Sequence, residues 1–150
     1  MTNKPVRLYN VLFPLWFLMI FPVTWLVVLP GNFLIDSLVL IISLRVLKVA
    51  ERKSWYKRHI LPVFGFGLLA DAIGAAFLFL MMVLEVYNFD NELWLAIPAM
   101  LLAAGLIFVF NYFVTFRKAA QPIRLRLALT FAIVTAPYTF LVPSGWLYGF

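Results

Sequence analysis

The chain alternates between long apolar stretches and short polar turns. An α-helix crosses a bilayer core of about 30 Å with about 20 residues. Five stretches are long enough or nearly so: 8–29, 33–50, 60–87, 93–116 and 123–142. They predict an all-α integral membrane protein: a single domain built as a bundle of five transmembrane helices. The 8–29 stretch lacks the short apolar core and small-residue cleavage site of a signal peptide, so it reads as an uncleaved span, kinked by Pro14 and Pro22.

The boundaries follow from turn chemistry. Leu29-Pro-Gly-Asn32 reads as a tight type II turn, with Asn32 capping the second helix. Asp36 then falls in that helix's first turn, where a carboxylate is stabilised. The third stretch would reach about 42 Å as a helix, so it must tilt, protrude or break near Pro62, Gly65 or Gly67. The fifth contains Pro137 and stops at Pro143-Ser-Gly145. Its prolines leave a re-entrant segment, and so four spans, as the alternative count.

Composition agrees with this pattern. The 150 residues are 65% apolar and only 12% charged, and the mean hydropathy is +1.02. A chain this short cannot bury so large an apolar share in a water-facing core. A soluble domain, a disordered chain and a disulfide scaffold are thereby excluded.

The formal charge of +6 comes from twelve Lys/Arg against six Asp/Glu. Lys4 and Arg7 precede the first span. Arg45, Lys48, Arg52, Lys53, Lys57 and Arg58 surround the second turn, and Arg117, Lys118, Arg124 and Arg126 surround the fourth. With five spans all of them fall on one side. The positive-inside rule then puts the N-terminus in and the C-terminus out. Trp25, Tyr87, Trp94, Trp146 and Tyr148 would mark the outer interface; Tyr9, Trp55, Tyr56 and Tyr112 would mark the inner one. The expectation is a multi-pass protein of a plasma or bacterial-type cytoplasmic membrane. Its basic charge serves orientation and not nucleic acid. The loop 51–59 offers Arg52, Lys53, Lys57 and Arg58 to anionic lipid headgroups.

Candidate chemistry is sparse. The chain has no cysteine and one histidine, His59, which reads as an interfacial side chain. No metal or cofactor site is expected, and no nucleotide loop, zinc signature or nucleophile elbow appears. The chain therefore does not read as an enzyme.

Polar residues at membrane depth are the candidates for function. Asp71 leads. It shares a face with Gly67, Gly74 and Ala75, and small residues on one face admit another helix backbone. Counting along the helices puts Arg45 and Asn111 near the same depth, which predicts a substrate- or ion-binding layer of Asp71, Arg45 and Asn111 in the cytoplasmic half. Snorkelling of Arg45 to the headgroups is the competing reading. Asp36, placed by the Pro30 turn, reads as an interfacial capping residue.

Two functions compete. The leading expectation is a transport or channel-like component with its polar site at Asp71. The alternative is a non-catalytic structural or assembly subunit of a membrane complex. Both imply a homo- or hetero-oligomer. A lipid-directed enzyme ranks last, for lack of a nucleophile–base pair.

Overall fold

The computed structural model describes residues 21–86 and 92–142. Within them the chain is helical: α1 (Pro22–Val46), α2 (Arg52–Val83), α3 (Glu92–Phe110), α4 (Gln121–Val134). A π-helical turn at Asn111–Thr115 continues α3, and a 3-10 turn at Tyr138–Leu141 follows α4. No strand occurs among the described residues. Four segments are long and apolar enough to cross a membrane, the fourth being α4 with its 3-10 extension.

The first two expected spans are corrected. The turn predicted at Leu29–Asn32 does not form, and α1 runs unbroken through Pro30 and Gly31. Proline fits helical φ but removes one N–H, freeing the carbonyl four residues back. In an apolar surrounding, opening a whole turn would strand several backbone groups, each costly without water, so the helix persists through the proline. Pro22 instead sits at the helix start, after an extended Phe21. At 25 residues, α1 reaches about 37 Å, enough for one crossing. The remainder of the expected first span, with Lys4, Arg7, Tyr9 and Pro14, lies outside the described residues. So do Tyr87, most of the acidic turn 88–92, and Pro143, Trp146 and Tyr148.

The real stops lack glycine. After α1, Lys48 turns into the left-handed region (φ 52°), and the Val49 N–H reaches back to the Leu44 carbonyl at 3.1 Å. After α2, Glu85 does the same (φ 58°), with Val86 N–H on Met81 O at 3.0 Å. Both are Schellman-type endings. Basic residues 51–59, expected as a loop, form the first turns of α2 beyond Glu51. Helix α2 therefore reaches about 48 Å and protrudes at its basic end. Pro62 does not break it.

Helices in sequence pack as antiparallel neighbours, and α4 closes the ring against both α3 and α1. Phe33 meets Phe64 edge-on (5.5 Å), Phe66 stacks on Phe110 (5.0 Å), and Phe116 stacks on Phe131 (6.1 Å). A Ser37–Tyr56 hydroxyl hydrogen bond of 2.9 Å ties α1 to α2. One apolar cluster, with Leu40, Leu44, Ile107, Phe116 and Phe131, fills the end with the basic turns. A second, with Leu78, Ala96, Ala99 and Phe140, fills the other end. The outside is apolar as well: Leu26 is 77% exposed, Val23 76% and Trp94 78%. A water-soluble bundle confines its apolar residues to an inward stripe; an apolar exterior on long helices is the mark of a lipid-facing surface.

Gly74 marks the tightest contact on α2. A Cβ there would lie 2.8 Å from Phe140 Cε2, 3.2 Å from the Ala99 carbonyl oxygen and 3.3 Å from Ala103 Cβ. Gly74→Ala should lower stability by about 1–3 kcal/mol through overpacking, seen as earlier thermal unfolding in detergent. Gly31 has open space around its missing Cβ. Because it lies inside a helix, Gly31→Ala should raise stability by about 0.5–1 kcal/mol. A turn at the same place would give the opposite sign.

Candidate functional site

Helix α1 buries a stripe of Asp36, Leu40, Ser43 and Leu44, at the spacing of successive helical turns. Helix α2 buries Val63, Ala70, Asp71, Gly74 and Leu78. Where the two stripes meet, Gly67 has no side chain to hold them apart. The Asp36 carboxylate Oδ2 lies 3.6 Å from the place a Cβ on Gly67 would take. Asp71 is one helical turn beyond Gly67 on the same face of α2. Asp36 is 6% exposed and Asp71 8%. Two carboxylates are thus gathered in the interior of an apolar bundle.

They share a cavity of about 560 Å³. Its walls come from the N-terminal part of α1, the middle of α2 and the chain from Val134 to Thr139. That last segment can bend inward because α4 ends at Val134, before Pro137. The cavity faces away from the basic turns. This corrects the expected placement of the Asp71 site in the half of the bundle that carries the cations.

Among the described residues, no Lys, Arg or His lines this cavity. Three of its hydroxyls are committed as donors; the Thr139 hydroxyl and the Asn32 amide also line it. Thr24 Oγ1 donates to the Phe21 carbonyl (2.7 Å), Thr135 Oγ1 to the Phe131 carbonyl (2.8 Å), and the Tyr138 hydroxyl to the Ile133 carbonyl. What these groups still offer inward is oxygen lone pairs. Asp71 Oδ1 is buried without a hydrogen-bond partner among the described residues. Beside the two carboxyl groups, the polar lining consists of the Asn32 amide and the threonine and tyrosine oxygens. Two carboxylates fall short of the six or more oxygens that Ca²⁺ takes. No group of three or more His, Cys, Asp and Glu side chains is placed to hold a metal among the described residues.

The expected polar layer does not assemble. Arg45 is exposed at the basic end of α1. By the Asp36–Gly67 register it stands about 20 Å along the bundle axis from Asp71, and the two do not pair. The depth count failed because it started from a turn at Asn32, whereas α1 starts ten residues earlier. Asn111 is fully buried, and neither its Oδ1 nor its Nδ2 has a partner among the described residues. The Phe66–Phe110 stack sets it about 8 Å from Asp71 along α2, toward the basic end. It does not line the carboxylate cavity. Asn111 opens the π-helical turn, a feature that recurs at functional sites.

Asp36 is the site residue that sequence reasoning misplaced. Its signal was present: Asp36 and Ser43 lie two turns apart on one face, and both are buried. Reading Pro30-Gly31 as a water-exposed turn moved Asp36 to the interface and hid its partnership with Asp71. His59 is buried too. Its Nδ1–H donates to the Trp55 carbonyl (2.8 Å), while its ring stacks on Trp55 (4.4 Å) and tilts against Phe116 (5.5 Å). Arg124 lays its guanidinium over Tyr112 at 3.8 Å, a cation–π contact between α4 and the π-helical turn.

The cavity makes a prediction about access. Thiols introduced as Asp36→Cys and Asp71→Cys should react with small water-soluble reagents added on the side away from the basic turns. Asn111→Cys should stay unreactive from either side. Equal protection of all three would mean that water does not reach the carboxylates.

No family model, no curated protein and no solved structure matches this chain.

Proposed function

We propose that this chain is a small multi-pass membrane protein that moves a proton or a small monovalent cation, with Asp36 and Asp71 as the binding pair. The observation that carries this reading is the convergence of two buried carboxylates on one cavity without a basic side chain among its described lining residues. Charge at membrane depth is costly, and two like charges in a poorly polarisable surrounding repel strongly. A purely structural pair would be balanced by an arginine or lysine. Here a mobile positive charge supplies the balance.

Orientation follows from the charges. Ten of the twelve cations belong to the described residues and cluster at the turns after α1 and α3. In this reading those turns face the cytoplasm. The start of α1 and the end of the 3-10 turn then face outward, as does the mouth of the carboxylate cavity. Four crossings satisfy this arrangement.

The test is flux in proteoliposomes containing the full chain. Proton entry is followed with an internal pH dye under an imposed potential, and sodium uptake with a radioactive tracer. Wild type should carry one of the two. Asp36→Asn and Asp71→Asn should each reduce that flux at least tenfold. Both variants keep the shape of the side chain, so both should retain wild-type helicity. Equal flux from wild type and variants, or from empty vesicles, would overturn the proposal in favour of an assembly subunit.

A further inference from the structure

A second cavity lies at the opposite end of the bundle, a groove of about 780 Å³ between α2 and the π-helical turn of α3. Its mouth carries Arg58 from α2 and Arg117 and Lys118 from the turn after α3. No acidic residue lines it. Beyond this cationic mouth the groove becomes apolar. Pro62, Phe66 and Leu69 carry it along one side of α2, opposite Val114. From Arg58 to Leu69 this amounts to about 16 Å along the helix axis.

The shape of the slot bears on its occupant. Gly65 lines the groove, and nothing lies within 4 Å of the place its Cβ would take, so its lack of a side chain leaves the channel open. A cluster of cations at a membrane surface attracts anionic headgroups in general. Arg58, Arg117 and Lys118 differ from the other basic residues in standing at the end of an apolar slot. A free phosphate would use the mouth and leave the slot without purpose. An amphiphile would use both.

We infer that the groove is a binding site for one phospholipid with an anionic headgroup. The phosphate sits between Arg58, Arg117 and Lys118, and an acyl chain lies along Gly65, Phe66 and Leu69. This site is separate from the Asp36–Asp71 cavity and does not depend on its function.

Native mass spectrometry of the detergent-purified full chain tests the inference. Phosphatidylglycerol and phosphatidylcholine are offered in parallel, with water-soluble glycerophosphate as a third arm. Phosphatidylglycerol should be retained roughly tenfold more strongly than phosphatidylcholine. The double variant Arg117→Gln/Lys118→Gln should abolish that preference. Gly65→Leu should block retention by filling the slot, and its Cβ meets no atom within 4 Å. Arg52→Gln/Lys53→Gln removes two cations outside the groove and should leave retention unchanged. The inference is overturned by equal retention of the two lipids, by an equal loss in the Arg52/Lys53 variant, or by undiminished retention in Gly65→Leu. Competition by glycerophosphate at the same concentration as the lipid would also overturn it, because the apolar slot would then contribute nothing.

Discussion

Gly74 has no side chain, and Phe140, Ala99 and Ala103 occupy the space where one would be. That contact sets how closely α2 approaches α3 and the chain after α4. In a membrane, lipid tails are as apolar as leucine, so burial of apolar surface does little to draw helices together. Packing of backbones at small residues does more. The small-residue face of α2 is therefore the surface on which the bundle is assembled. It admits α3 on one side and α1 on the other. It also lets the chain beyond α4 fold in until the Phe140 ring reaches Gly74.

A second glycine on this face, Gly67, lines the candidate site. A side chain at position 67 would project toward the Asp36 carboxylate. With glycine there, Asp36 and Asp71 face one cavity across a single helical turn. The break between α4 and its 3-10 extension completes the walls with Thr135, Pro137 and Tyr138. Irregular backbone at membrane depth is tolerated where it lines a cavity. Here the irregular segment and the buried charges occur together. At the other end the π-helical turn of α3 stands beside the groove with the cationic mouth. The π-helical turn and the 3-10 extension thus each border a cavity.

Polar side chains inside the bundle differ in how they are satisfied. Ser37 bonds to Tyr56, and Thr130 and Thr135 bond back to carbonyls one turn earlier in their own helix. These are local or pairwise arrangements that hold helices in place. Asp71 Oδ1 and both side-chain atoms of Asn111 have no such partner among the described residues. A buried polar group without a hydrogen bond is expensive. That expense sets Asp71 and Asn111 apart from the serine and threonine contacts, and for Asp71 it coincides with a cavity.

Much of the architecture was legible in the residues alone. Apolar stretches of about membrane length, short polar breaks and basic residues at alternate turns follow from the cost of exposing backbone and charge to lipid, and that cost depends on composition rather than on neighbours. The burial of Asp71 was legible too, because helical periodicity places Gly67, Asp71 and Gly74 on one face. Pro30-Gly31 misled for a physical reason. Turn preferences describe chain in water, whereas a helix surrounded by apolar groups keeps its hydrogen bonds across a proline. The actual helix ends, at Lys48 and Glu85, adopt left-handed backbone without glycine and so left no mark in the sequence. The pairing of Asp36 with Asp71, and the separation of both from Arg45, depend on the register between α1 and α2. Only the tertiary structure decided that register. It is set by which small residue each side chain meets across the interface, a property of two helices together and of neither alone.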